Sequence, residues 1–194
     1  MFLYSICQYA IISIVTDGVT KGIGSNKKIN MRNTTLCYIE KNGQYLMLHR
    51  IKKDQDQSRG KWLGIGGKFE DRESPDECLL REVSEETGLT LTSYRLRGIV
   101  TFISDIYETE YMFLYTADGY KGELFEEADG SVTPMRVGKK IPCNEGVLKW
   151  VDIEAVPSLE LWEGDRIFLE RLRTTDEFFT LKLCYEGDSL ISYE

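Results

Sequence analysis

The segment between Ser74 and Gly88 carries a complete set of helix boundary signals. Ser74 is followed by Pro75, and Glu77 completes an S-x-x-E capping box, in which two side chains satisfy free N–H groups of the first turn. Gly88 is the residue type that most often ends a helix. The sequence therefore predicts a helix over 75–87, and any fold of this chain must bury one face of it.

Three glutamates, Glu82, Glu85 and Glu86, share one face of this predicted helix. A turn of about 100° per residue places them within a stripe about 100° wide. Their carboxylates repel one another, and the negative end of the helix dipole disfavours them further. One interpretation is a solvated acidic surface. The other is a divalent cation site, for which all-oxygen ligands indicate Mg²⁺ or Mn²⁺ rather than zinc.

The segment from Gly67 to Leu89 favours the cation site. It fits the pattern G-x5-E-x7-R-E-U-x-E-E-x-G-U, with U aliphatic, at every defined position. The matching residues are Gly67, Glu73, Arg81, Glu82, Val83, Glu85, Glu86, Gly88 and Leu89. On these residues the chain resembles the Nudix hydrolases, which cleave nucleoside diphosphates linked to another group. The resemblance implies an α+β fold, an α/β/α sandwich around a mixed β-sheet.

The same resemblance implies roles for individual residues of the motif. The implied metal ligands are Glu82, Glu85, Glu86 and the backbone carbonyl of Gly66. Either Glu82 or Glu86 would take the proton of the attacking water, and the metal ion would lower the pKa of that water. Glu73 and Arg81 would form an ion pair that ties the loop to the helix.

Beyond the motif, the resemblance extends over roughly 33–193. There the chain is similar to the MutT-type branch of the family, the oxidised-purine nucleoside triphosphatases. By this comparison Glu145 is a further catalytic carboxylate and metal ligand from outside the helix. Trp162 would stack on the purine, as indole rings do on nucleobases elsewhere, and Asp165 would hydrogen-bond the edge of the base.

Two residues depart from the human member of that branch. Leu63 occupies the base-contacting position of an asparagine and has no hydrogen-bonding group, and Gly164 replaces the first of two adjacent aspartates. The resemblance therefore implies a purine triphosphate and leaves the exact base open. Arg50 and Lys68 flank the expected site as candidate phosphate contacts, although Arg50 also fits a plain charge at a strand end.

The rest of the chain alternates β-rich runs with one further helical segment. Strands are predicted over 34–39, 44–50, 94–103, 110–116, 147–152, 178–185 and 189–193, and a helix over 163–173. Asn42-Gly43 predicts a tight hairpin turn, because both residue types tolerate positive φ. The polar stretch 117–144 predicts a solvated hairpin or loop insertion.

Acidic residues outnumber basic ones by 32 to 24, which gives a net charge of −8. Nucleic-acid backbones require a basic surface, so we expect no nucleic acid as partner, and we expect no membrane partner. The resemblance implies a small nucleotide as ligand. The five cysteines include no CxxC pair, which is typical of reduced thiols in a cytoplasmic protein. Nothing in the sequence indicates the oligomeric state.

Residues 1–30 differ in character from the rest of the chain. Their apolar part, Met1 to Val15, is interrupted by polar residues and is shorter than a membrane-spanning helix. The stretch 21–30 is typical of a linker. We expect residues 1–30 to be an N-terminal extension without a role in function, such as a start codon placed too far upstream would produce. We expect a Nudix hydrolase domain over 31–194.

Three functions are consistent with these residues. The first is the Mg²⁺-dependent conversion of an oxidised purine nucleoside triphosphate, such as 8-oxo-dGTP, to the monophosphate and pyrophosphate, which would sanitise the nucleotide pool. The second is the same chemistry on another substrate, for example a normal NTP, a dinucleoside polyphosphate or ADP-ribose. The third is a nucleotide-sensing module without catalysis, and the complete set of motif carboxylates argues against it.

Overall fold

The computed structural model describes residues 31–53 and 56–194, and the expectation for residues 1–30 lies outside them. Two α-helices flank a sheet in this part of the chain, and a short 3-10 helix spans Val156–Ser158. The α-helices are α1 (Pro75–Thr87) and α2 (Glu163–Thr174). The strands are β1 (Met31–Lys41), β2 (Gln44–His49), β3 (Trp62–Leu63), β4 (Thr90–Ser104), β5 (Thr109–Lys121), β6 (Leu124–Glu126), β7 (Val132–Arg136), β8 (Lys139–Lys140), β9 (Val147–Asp152), β10 (Phe179–Glu186) and β11 (Ser189–Tyr193).

The sheet is mixed, and its strand order is β11-β10-β4-β5-β1-β2-β9-β7-β6, with β3 on β2 and β8 on β7. β1 runs parallel to β5, and β10 runs parallel to β4. The remaining pairs are antiparallel. The predicted α+β class, with an α/β/α sandwich around a mixed sheet, is confirmed.

The central strand β1 is buried on both faces, because a helix covers each side of the sheet. Side chains alternate along a strand, so Tyr38 packs toward α2 with Phe168, whereas Ile39 packs toward α1 with Leu79. The core therefore consists of two apolar layers separated by the sheet. This arrangement fixes α1 and α2 relative to the same central strand.

Helix α1 begins and ends where the sequence predicts. The Ser74 side chain accepts a hydrogen bond from the backbone of Glu77, whose carboxylate accepts one from the Ser74 backbone at 2.9 Å. Gly88 ends the helix with a φ of 69°, in the left-handed region that glycine adopts without a steric penalty. The predicted helix over 75–87 is confirmed.

The stretch 117–144 forms a hairpin, which was one of the two predicted alternatives. The prediction that this stretch is solvated is wrong for the side that faces α1. β5 continues to Lys121, and β6, β7 and β8 follow as antiparallel neighbours. Val132 and Pro134 are buried. Arg136 donates a hydrogen bond of 2.7 Å to the carbonyl of Ser84. The hairpin packs against the C-terminal end of α1, which explains this burial.

Two further observations concern the cysteines and the length of the helices. The described cysteines are all free; they are Cys37, Cys78, Cys143 and Cys184. Among the residues that the structure describes, none of the helices has the length and apolar character needed to cross a membrane.

We expect Ser74→Ala to lower the free energy of unfolding by about 1 kcal/mol, because the variant leaves an N–H group of the first turn of α1 without its partner. Urea denaturation measures this loss. Ser192→Ala, at an exposed position of β11, is the matched control and should change stability by less than about 0.5 kcal/mol. Equal stability of the two variants would contradict the capping role.

Candidate active site

The glycine-rich loop before α1 lies directly against β1. Ile65 exchanges backbone hydrogen bonds with Cys37, and Thr35 donates one to the carbonyl of Gly67 at 2.9 Å. A Cβ atom on Gly66 would lie 2.1 Å from the carbonyl oxygen of Thr35. Only glycine permits this approach, which brings the N–H of Gly66 within 3.3 Å of the Glu86 carboxylate.

Arg81 holds the loop and the helix together. Its Nε and Nη2 donate to the two carboxylate oxygens of Glu73 at 2.8 and 2.9 Å, and Nη2 also donates to the carbonyl of Lys68. This two-pronged geometry is the strong form of an arginine–carboxylate pair. The hydrogen bonds from Arg81 lower the pKa of Glu73 to about 2. The predicted Glu73–Arg81 ion pair is confirmed.

Glu82, Glu85 and Glu86 have different environments, although they share one stripe of α1. The side chain of Glu82 is 15% exposed and accepts a hydrogen bond from Arg81, whereas that of Glu85 is 58% exposed and contacts Arg81 at 3.4 Å. Glu86 is buried, at 8% exposure. Burial raises the pKa of Glu86 well above its ordinary value, and the charges of Glu145 and Glu82 add to this effect.

Glu145 approaches Glu86 from the loop before β9. A Cβ atom on the following residue, Gly146, would lie 1.9 Å from the carbonyl oxygen of His49, so only glycine allows this loop to meet the end of β2. There Glu145 accepts hydrogen bonds from Arg50, at 2.5 Å, and from Lys53. Burial alone would raise the pKa of Glu145, but these two cations outweigh it, and the pKa is lowered.

The donor set fits a divalent cation. Glu86 is a buried carboxylate whose charge Glu82 and Glu145 oppose, and a cation between carboxylates relieves such repulsion. Among residues 31–53 and 56–194, no three acidic, histidine or cysteine side chains lie close enough together to enclose a metal ion. In this structure Arg81 pairs with both Glu82 and Glu73, and Arg50 pairs with Glu145.

A pocket of about 660 Å³ opens beside these carboxylates. Most of the residues predicted for the site line it; they are Arg50, Leu63, Gly66, Lys68, Glu82, Glu145, Trp162 and Asp165. Glu86 lies behind Gly66, and Glu85 points away to solvent. In this arrangement Arg50 pairs with Glu145 and with Asp56.

Trp162 and Asp165 stand at the start of α2, on the side of the pocket formed by β10. The indole N–H of Trp162 donates to the hydroxyl of Ser58 at 3.1 Å, and the backbone N–H of Gly164 donates to the hydroxyl of Tyr185 at 2.7 Å. A Cβ atom on Gly164 would lie 2.5 Å from the side chain of Leu183. At Gly164, α2 and β10 are in close contact, and a side chain at this position would require the end of the Leu183 side chain to shift.

Asp165 is 5% exposed, and its Oδ2 has no hydrogen-bond partner among the described residues. Burial, followed by the charge of Glu110, raises the pKa of Asp165 to about 8. The side chain is therefore a neutral carboxyl group at pH 7, which can donate a hydrogen bond as well as accept one.

Sequence reasoning missed part of the pocket wall. The segment 56–58 contacts three different parts of the wall, through Asp56 to Arg50, Gln57 to Arg32 and Ser58 to Trp162. Glu110 and Arg32 are also in the wall. No local pattern marks these residues, because their proximity depends on the parallel register of β1 and β5 and on the path of the loop before β3.

The raised pKa of Asp165 predicts a specific dependence of stability on pH. In the unfolded chain Asp165 ionises near its ordinary value of 3.8, whereas in the folded protein it keeps its proton up to about pH 8. Between these values the folded state binds the extra proton, so this group lowers the free energy of unfolding as pH rises, by up to about 1.4 kcal/mol per pH unit.

Asp165→Asn removes this ionisation, so the stability of the variant relative to wild type should increase from pH 4 to pH 8. Urea denaturation at several pH values measures the difference. Asp118→Asn, at an exposed position of β5, controls for the loss of one negative charge. A difference between Asp165→Asn and wild type that stays constant with pH would contradict the prediction.

Comparison with known proteins agrees with the motif and the fold. The NUDIX domain family model matches residues 30–172. A Bacillus subtilis (strain 168) protein named as an uncharacterized Nudix hydrolase, YvcI, is 30% identical over 144 residues, which are 72% of this chain and 78% of that protein. The 8-oxo-dGTP diphosphatase of Proteus vulgaris is 33% identical over 102 residues, 52% of this chain and 86% of that protein.

A solved structure shows the same architecture. The crystal structure of a MutT protein from Bacillus halodurans superposes with a TM-score of 0.68 at 27% identity, and the match covers 84% of this chain and 96% of that one. The family model spans most of the chain, and every defined position of the motif is filled. The chain therefore belongs to the Nudix hydrolase family.

Proposed function

We propose that this protein is a Mg²⁺-dependent pyrophosphohydrolase of purine nucleoside triphosphates, with oxidised purines such as 8-oxo-dGTP among its substrates. The products are the nucleoside monophosphate and pyrophosphate. The single observation that carries this proposal is one pocket with two chemically different walls. One wall presents the carboxylates Glu82 and Glu145, and the other presents Trp162 with the buried carboxyl of Asp165.

The carboxylate wall suits a polyphosphate with its metal ion. Glu82, Glu85, Glu86 and Glu145, with the carbonyl of Gly66, would hold Mg²⁺, and Mn²⁺ would fit the same donors. The bound ion supplies charge neutralisation and lowers the pKa of water. Either Glu82 or Glu86 takes the proton of the attacking water.

The cations in the carboxylate wall suit the phosphate groups. Arg50 and Lys53 neutralise Glu145 in this structure, and Lys68 is an exposed cation at the same pocket. Charge-assisted hydrogen bonds to phosphate oxygens are available to all three.

The opposite wall suits a nucleobase. Trp162 offers an aromatic surface beside Tyr185, with ring centroids 5.9 Å apart, and bases stack on such surfaces with little sequence preference. The neutral carboxyl of Asp165 and the apolar Leu63 complete this end of the pocket. The name of the Proteus vulgaris relative, 8-oxo-dGTP diphosphatase, supports a purine triphosphate.

We place this activity in the cytoplasm, where it would remove damaged nucleotides from the pool used for DNA synthesis. The free described cysteines support a reducing compartment. The net charge of −8 supports a small nucleotide rather than nucleic acid as the ligand.

Steady-state kinetics on a nucleotide panel test the proposal. The panel contains 8-oxo-dGTP, dGTP, dATP, a dinucleoside polyphosphate and ADP-ribose, each with Mg²⁺ and with Mn²⁺. We expect the highest kcat/KM on a purine triphosphate, with pyrophosphate as a product. Faster turnover of ADP-ribose or the dinucleotide would contradict the substrate class, and hydrolysis of no compound would instead support a nucleotide-sensing module.

Glu86→Gln should lower kcat on the best substrate by roughly 100-fold or more, because the variant removes a carboxylate from the proposed proton transfer and metal binding. Its fold should persist, since the change is isosteric and removes a buried charge repulsion. Kinetics and urea denaturation of the same preparation separate these effects. Glu126→Gln, at an exposed position of β6, is the matched control, and an equal kcat for the two variants would contradict the role of Glu86.

A further inference from the structure

The pocket wall near Asp165 contains a second charged group, the pair of Arg32 and Glu110. These residues are register partners on the parallel strands β1 and β5, and both line the pocket. Gln57, which contacts Arg32, is followed in the chain by Ser58, which contacts Trp162, and the charge of Glu110 acts on Asp165. The pair therefore lies at the end of the pocket that we assign to the base. Neither residue belongs to the Nudix motif.

Glu110 is fully engaged within the protein. Its Oε1 accepts a hydrogen bond from the hydroxyl of Thr34 at 2.6 Å, and its Oε2 accepts one from Nε of Arg32 at 2.6 Å. The same Oε2 also pairs with Nη2 of Arg32, and the Glu110 side chain is only 12% exposed. Glu110 therefore fixes the plane of the Arg32 guanidinium rather than offering a free carboxylate.

Arg32 retains hydrogen-bonding capacity that the described residues do not use. A guanidinium carries five N–H donors, and the described contacts with Glu110 and Gln57 use at most three of them. The side chain is 23% exposed and shares the pocket wall with apolar residues such as Met112. A donor at such a partly desolvated wall favours a ligand that presents an acceptor.

We propose that Arg32, held in place by Glu110, donates hydrogen bonds to the 6-carbonyl oxygen of a purine and so selects 6-oxopurine over 6-aminopurine nucleotides. Guanine presents acceptors at O6 and N7, whereas adenine presents an amino donor at position 6. An amino group would place its own donors against those of Arg32. This inference rests on the proposed nucleoside triphosphate site and names the substrate class within it.

Binding of matched non-hydrolysable analogues tests the inference without requiring turnover. The probes are the α,β-methylene analogues of dITP and dATP, whose bases differ at position 6 and in the N1 proton that accompanies the 6-oxo group. Their affinities are measured by isothermal titration calorimetry with Mg²⁺ present. We expect wild type to bind the inosine analogue roughly tenfold or more tightly than the adenine analogue. Equal affinities would overturn the inference.

Variants of Arg32 and Glu110 test which side chain is responsible for the selection at position 6 of the base. Arg32→Gln should bring the ratio of the two affinities close to one, mainly by weakening the inosine analogue. Glu110→Gln should lower the same ratio, because it loosens the guanidinium. Arg72→Gln, at a highly exposed position outside the pocket, should leave the ratio unchanged.

A second variant covers the case in which Arg32→Gln does not fold. Arg32→Lys keeps the positive charge but loses the planar arrangement of donors, so it should also lower the ratio. An equal loss of affinity for both analogues in the folded variants would overturn the inference. Turnover of dITP and dATP by the wild-type protein is a separate measurement. If neither compound is hydrolysed, the proposed function is wrong. The ratio of binding affinities would still decide whether the protein selects at position 6.

Discussion

The guanidinium of Arg81 is the contact on which the site depends. It connects Glu73 and the carbonyl of Lys68, both in the loop, with Glu82 on the helix. Without it, the carbonyl oxygen of Lys68 and the carboxylates of Glu73 and Glu82 would lose a shared donor in a partly buried space. This cation ties the glycine-rich loop to α1 and so contributes to the geometry of the carboxylates that we propose for catalysis.

Close backbone approaches complete the site. Gly66, Gly146 and Gly164 each lie where a Cβ atom would overlap a neighbouring atom. The first brings the loop onto β1, the second brings Glu145 to the end of β2, and the third packs α2 against β10. The two walls of the pocket are thus positioned by glycines, whereas the chemistry is supplied by the side chains beside them.

The sequence alone was sufficient to predict those features of the fold whose signals lie close together in the chain. The capping box of Ser74, the stop at Gly88 and the Asn42-Gly43 turn act through neighbours in the chain, and all three are present in the structure, the last with φ values of 52° and 76°. The motif was equally informative about the Glu73–Arg81 pair.

Predictions from the sequence failed where contacts are distant in the chain. The buried side of the hairpin within 117–144 depends on its packing against α1, and no local pattern encodes that contact. The pairing of Arg32 with Glu110 spans 78 residues and requires the parallel register of β1 and β5. The different environments of Glu82, Glu85 and Glu86 also depend on tertiary contacts, such as that of Glu86 with Gly66, 20 residues away in the chain.

The central question is whether Glu82, Glu86 and Glu145 together bind a divalent cation. Titration of the protein with Mn²⁺, followed by electron paramagnetic resonance of the free ion, measures this binding directly and without substrate. The account predicts saturable binding by wild type that weakens at least about tenfold in the double variant Glu82→Gln/Glu86→Gln. Equal affinity of wild type and the double variant, or no saturable binding by wild type, would contradict it.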